Sequence, residues 1–118
     1  MCVCAFVRPH LPFVFPEAFQ EYYPPDSIQL PPNQFAPWDM PDVAWQSYGE
    51  TRSYADIANL NASGAINTTL PEKVVKELRR AYYSAVSYTD YNIGELLQLL
   101  NNSQIVNSTI VLFWGDHG

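Results

Sequence analysis

Apolar residues are distributed along this chain in three distinct ways, and each predicts a different element. Residues 2–7 (Cys-Val-Cys-Ala-Phe-Val) and 109–114 (Thr-Ile-Val-Leu-Phe-Trp) are short, continuous apolar runs rich in β-branched and aromatic side chains. Runs of that length without alternation predict strands covered on both faces, as in a parallel sheet. Between residues 72 and 100 the pattern changes to Val75, Leu78, Tyr82, Ala85, Val86, Thr89, Ile93, Leu96, Leu97 and Leu100. Steps of three and four mark one face of an amphipathic helix, roughly 43 Å long at 1.5 Å per residue. Thr69-Leu70-Pro71-Glu72 has the spacing of a capping box at its start, and Asn101-Asn102 provides a stop. Gly94 inside this helix costs about 1 kcal/mol unless it lets a neighbour approach closely.

The stretch from Tyr23 to Pro41 has no period. Prolines at 24, 25, 31, 32, 37 and 41 remove ladder donors and hold the chain extended. With Phe35, Trp38, Trp45 and Tyr48 in and just after it, this segment is too aromatic for a free linker and is expected to wrap over a body. A short helical turn is expected at Pro16–Gln20. Strand, long insertion, helix, strand is an α/β order.

Composition narrows the function classes. The 118 residues carry six Lys and Arg against twelve Asp and Glu, a formal charge of −6, which excludes a general nucleic-acid binder with its basic stripe. No apolar run approaches the ~20 residues of a membrane-spanning helix. Hydrophobic residues make up 47% of the chain, too many for a disordered segment. Charged residues make up 15%, below the ~25% of an average soluble domain, so part of the surface is expected to be covered by further polypeptide. Both ends read as internal: an apolar run without a basic leader follows Met1, and the last strand runs into Gly115-Asp116-His117-Gly118. Cys2 and Cys4 face the same way on an extended strand, fit no metal or redox motif, and are expected as small buried hydrophobes. Asn61, Asn67, Asn101 and Asn107 each open an N-x-S/T acceptor sequence for glycosylation, which favours the secretory pathway.

Candidate chemistry gathers where the two strands end, the edge at which open parallel sheets bind ligands. The first strand leads into Arg8 and His10 and the last into Asp116 and His117. Asp116 and His117 offer a carboxylate oxygen and an imidazole nitrogen, both common metal donors; taken alone, the dipeptide fits better a strand-to-loop turn in which Asp caps a backbone amide. His10 suits a proton donor or an anion contact assisted by Arg8, or a histidine packed between prolines.

Three segments in order carry a resemblance. Arg8-Pro9-His10-Leu11-Pro12-Phe13 with Phe15-Pro16-Glu17 and Phe19 resembles a K-P-H-x-P-F…Y-P…F pattern. Tyr82 to Asp90, continued by Ile93-Gly94 and Leu96-Leu97, is similar to Y-x-A-x-V-x-x-x-D-x-x-x-G-x-L. Asn107-Ser108-Thr109-Ile110 leading to Gly115-Asp116-His117-Gly118 resembles N-S-T-I…S-D-H-G. Together the three segments resemble consecutive pieces of the iduronate 2-sulfatase family, within the alkaline-phosphatase-like sulfatases, and they span nearly the whole chain.

The resemblance implies a partial alkaline-phosphatase-like sulfatase domain of α/β class. Residues 1–118 would be a fragment of its N-terminal catalytic domain, with parallel-sheet strands, a long helix and a Pro-rich wrapping loop. It implies Asp116 and His117 as late calcium ligands, His10 as an active-site histidine on the sulfate ester, and Arg8 in place of a family lysine. Val7 and Gly115 replace a family His and Ser, and Asp90 is structural. The implied reaction removes the 2-O-sulfate of iduronate from heparan or dermatan sulfate, in a lysosomal or secreted enzyme with Ca2+. The nucleophile there is a formylglycine made from C-x-P-S-R, a motif that this sequence does not contain; it is expected upstream, as is the signal peptide. The partners implied are a sulfated glycosaminoglycan and the rest of the parent sulfatase chain, and the 118 residues alone are expected to hydrolyse nothing. Two alternatives stay open: a phosphatase or phosphodiesterase of the same superfamily, and a truncated, non-catalytic secreted glycoprotein module.

Overall fold

The computed structural model describes residues 2–115. Its dominant element is the long helix, here α2, Glu72–Asn101, matching the 72–100 read from the apolar period. The cap differs from expectation. Pro71 is the N-cap, with ψ 141°, and no side chain caps the helix. Glu72 is therefore the first helical residue rather than the third, and Thr69 lies too far upstream to reach the amides that a capping box satisfies. A short helix, α1, Ala55–Ala58 precedes it. One-turn 3-10 helices occupy Glu17–Gln20, Pro25–Ser27, Asp42–Ala44, Thr51–Ser53 and Val106–Ser108. The first of these is the helical turn expected after Pro16, which serves as its N-cap.

Among the described residues there is no β-strand, so the two predicted strands and their parallel sheet are not formed. The physical reason is the missing ladder. No amide of residues 2–7 or 110–115 donates to the backbone of another described residue. Their side chains are correspondingly bare, Ile110 at 88% and Phe113 at 78% exposed. Cys2 and Cys4, expected to be buried, are exposed for the same reason. The aromatic loop also wraps less closely than expected, since Phe35 and Trp38 face solvent.

What does pack is the N-terminal half of the chain on the first two-thirds of α2. Arg80 donates Nε to the Tyr23 carbonyl at 2.6 Å and Nη2 to the Gln20 carbonyl at 3.1 Å. Tyr23 and Ser87 share a hydroxyl hydrogen bond of 2.6 Å. Phe19 sits among Tyr22, Tyr88 and Tyr91, with ring centroids 5.2–5.8 Å apart, and Phe13 meets Tyr82 edge-on at 5.7 Å. Such aromatic pairs favour tilted, edge-to-face geometry. Ser84 and Ala85 are fully buried beneath this layer, and Ile28 and Ile57 complete a small core.

Beyond Ile93 the helix runs on largely uncovered, and Leu96, Leu97 and Leu99 are exposed. The whole chain exposes 9423 Å², against about 6,500 Å² for a compact folded monomer of this mass. Its radius of gyration is 18.3 Å, against roughly 13 Å for a compact domain of this length. The apolar faces outnumber what these residues alone can cover.

Candidate functional site

The loop that follows residues 2–7 is built to present two side chains. Peptide bonds Arg8–Pro9 and Leu11–Pro12 are both cis. They frame a tight turn closed by the His10 amide donating to the Val7 carbonyl at 3.0 Å. Thr89 on α2 donates its hydroxyl to the Arg8 carbonyl at 3.0 Å while also reaching the Ala85 carbonyl at 3.1 Å. That explains a polar residue in the apolar series of the helix: its hydroxyl pins the loop. Phe13, edge-on to Tyr82, anchors the other end of the same turn.

Within the loop, Arg8 donates Nε to the Val14 carbonyl at 3.2 Å and Nη1 to the His10 carbonyl at 3.3 Å. Those bonds hold the guanidinium across the turn, while Nη2 has no acceptor among the described residues. The His10 Nδ1 lies 2.7 Å from the Leu11 carbonyl. A carbonyl can only accept, so Nδ1 carries the proton and the neutral ring keeps its lone pair on Nε2. His10 is exposed and Arg8 is half-buried. The structure thus brings Arg8 and His10 onto one hydrogen-bonded turn, with a guanidinium edge and a ring nitrogen that make no hydrogen bond among the described residues. That pair can bind an oxyanion and move a proton at Nε2.

Asp116 and His117 lie outside the described residues. Among those that are described, no group of three or more His, Cys, Asp or Glu side chains is placed to hold a metal ion. The four glycosylation candidates, Asn61, Asn67, Asn101 and Asn107, are all exposed. Asp90 is exposed on α2, as a structural surface residue would be.

Two features were missed by reading the sequence. Tyr54 donates its hydroxyl to the Glu50 carboxylate at 2.6 Å, and this bond pushes the phenol above its ordinary pKa, with smaller contributions from burial and from the Glu50 charge. The second is a cavity lined by both Arg52 and Arg79. Arg52 and Arg79 lie 27 positions apart in different elements and share no periodic signal; the positive φ values of Tyr48 and Gly64 shape the backbone there.

A sulfatase family model matches residues 1–118. The chain is 37% identical to human iduronate 2-sulfatase over 111 residues, which is 94% of this chain and 20% of that protein. It is 34% identical to a sulfatase of Formosa agariphila over 115 residues, 96% of this chain and 20% of the relative. It is 31% identical to the choline-sulfatase of Rhizobium meliloti over 115 residues, 97% of this chain and 20% of the relative. The chain spans about a fifth of the length of these relatives.

Proposed function

The chain belongs to the sulfatase family, and from that premise we propose that it forms part of a sulfate-ester hydrolase in which Arg8 and His10 face the substrate. The observation that carries this reading is the hydrogen-bonded turn itself. Arg8 and His10 share one loop, the Arg8 carbonyl is pinned by Thr89, and His10 is oriented through Nδ1 with Nε2 free. A sulfate ester presents oxygens around one sulfur and a bridging oxygen to the leaving alcohol. Arg8 Nη2 donates to a sulfate oxygen as a fixed, always-charged group. His10, when protonated, donates from Nε2 to the bridging oxygen while Nδ1–H stays on Leu11, so the leaving alcohol departs neutral.

Asp116 and His117 are proposed as ligands of a divalent cation, calcium by the donor chemistry of Asp116, whose hard carboxylate oxygen suits it. The cation supplies polarisation of the sulfate oxygens when bound. Residues 2–7 and 109–114 are proposed as strands of a parallel sheet whose partners lie in a longer polypeptide. The unpaired backbone and bare side chains of both runs support that placement.

The substrate we propose is the 2-O-sulfate of iduronate at the ends of heparan or dermatan sulfate, on the likeness to iduronate 2-sulfatase. A lysosomal or secreted location fits the four exposed acceptor asparagines. No helix among the described residues is long and apolar enough to cross a membrane. The test is sulfate release by the full-length gene product from a 2-sulfated iduronide and from an aryl sulfate and aryl phosphate. Turnover of the sulfate esters, lost in His10→Ala, supports the reading; turnover of the phosphate alone would replace it with a phosphatase.

A further inference from the structure

We propose that the cavity between α2 and residues 31–70 is a second binding site, distinct from the Arg8–His10 turn, for an organic anion with an apolar ring body and a carboxylate or sulfate head. The cavity measures about 540 Å³, within the range of small-molecule sites. Its wall is mostly apolar and aromatic, with Phe35, Trp45, Tyr48 and Leu78 around it, and it contains neither Arg8 nor His10.

Two guanidinium groups, Arg52 and Arg79, break that apolar wall. Neither pairs with a carboxylate among the described residues, where the one ion pair is Lys73–Glu77. Each is nevertheless held in place. Arg52 donates Nε to the Ser47 carbonyl at 2.8 Å and Nη1 to the Ala62 carbonyl at 3.5 Å. Gly64 lies against its guanidinium so closely that a Cβ there would come within 2.8 Å of Nε, and its φ of +74° suits glycine alone. Arg79 donates Nη2 to the Tyr83 hydroxyl at 2.7 Å and stacks over the Tyr83 ring. These contacts leave Arg52 Nη2 and Arg79 Nη1 without acceptors among the described residues.

Two further donors are starved. Arg79 Nε and Trp45 Nε1 are buried with no hydrogen-bond partner among the described residues, a cost that an acceptor on a bound ligand would remove. Tyr48, on the same wall, holds φ +54°, a strained conformation for an aromatic residue. Two preset cations without counter-charges, in an aromatic-lined recess, match a ring-bearing anion: the guanidinium edges take the head and the aromatic wall takes the body.

The experiment titrates the full-length gene product, labelled with 15N-tryptophan, with naphthalene-2-carboxylate, naphthalene-2-sulfonate and naphthalene-2-carboxamide, which share one ring body. The Trp45 indole resonance, assigned with Trp45→Phe, reports the site. The anions are expected to bind at least about ten-fold tighter than the carboxamide, the worth of one charge-assisted hydrogen bond, and to shift the Trp45 resonance before those of Trp38 and Trp114. Carboxylate against sulfonate then identifies the preferred head. Arg52→Gln and Arg79→Gln, each checked for retained helix by circular dichroism, are expected to bring the anions to the affinity of the carboxamide. Equal affinity for anion and carboxamide in the unmodified chain, or shifts confined to Trp38 and Trp114, would overturn the proposal. Either result leaves the sulfate-ester reading of Arg8 and His10 untouched.

Discussion

Removing the Arg80 guanidinium while keeping its apolar stem, as in Arg80→Met, tests whether α2 holds the N-terminal segment of the chain. In the structure Arg80 makes two charge-assisted bonds, to the Tyr23 and Gln20 carbonyls at 2.6 and 3.1 Å. Each such bond is worth about 1.5–3 kcal/mol where water is excluded. Arg80 is only part-buried, so solvent screening and rehydration of the two carbonyls reduce this, to a combined loss of about 2 kcal/mol. The loss falls on the clamp between residues 17–28 and the helix. Native-state hydrogen exchange reads it directly. The amides of Phe19, Tyr23 and Ser27 donate to Pro16, Gln20 and Pro24, and their protection is expected to drop about 30-fold, the equivalent of 2 kcal/mol. Amides of α2 from Gly94 onward are expected to keep their rates, since the ring contacts and hydrogen bonds of residues 17–28 reach no further than Tyr91. Unchanged protection at residues 19, 23 and 27, or an equal loss along the whole helix, would refute the clamp.

Other consequences follow from single contacts. Thr89→Val removes the hydroxyl that pins the Arg8 carbonyl and is expected to raise exchange at the His10 amide about five-fold, from a loss of about 1 kcal/mol. Gly94 has no atom within 4 Å of a Cβ built there, so Gly94→Ala is expected to stabilise α2 in this chain by about 0.5–1 kcal/mol in urea titration; destabilisation would mean a neighbour packs on it. Cys2 hydrogen-bonds Cys4 across 3.9 Å and raises its pKa, so Cys2→Ala is expected to speed alkylation of Cys4 near pH 9. Tyr54 has its pKa raised by Glu50. The contact is therefore fully present below the ordinary phenol pKa of about 10 and lost as pH rises through the higher folded value; Tyr54→Phe is expected to remove one phenol that titrates above that ordinary value, read by absorbance at 295 nm.

How much of this was legible depended on whether the determining partner lies within the chain. The helix at 72–101 was readable because its period depends only on its own residues. The turn at Glu17–Gln20 was readable because Pro16 fixes its entry geometry locally. The strands at 2–7 and 109–114 were read from composition, which records the environment a segment suits; a ladder needs a second strand, and none is present among the described residues. Burial of Cys2 and Cys4 failed with them. The capping box failed by register, since Pro71 took the cap position and left Thr69 outside. Arg8 and His10 were legible as candidates from their place after an apolar run, and the structure gives them a shared turn and a set tautomer. The Arg52–Arg79 cavity was invisible, because it joins side chains from two distant segments through Gly64 and Tyr48, whose positive φ values no sequence period announces.

Sulfate release by the full-length gene product, beside the isolated 118-residue chain, tests the central claim most directly. With an aryl sulfate and a 2-sulfated iduronide, the full-length product is expected to turn over both. Its His10→Ala variant is expected to lose about 10²–10⁴-fold, the usual contribution of a general acid or base. The isolated chain is expected to release none. Turnover by the isolated chain would contradict the expectation that these residues need the rest of the protein, and a full-length His10→Ala variant as active as the unmodified protein would contradict the assignment of His10 to the sulfate ester.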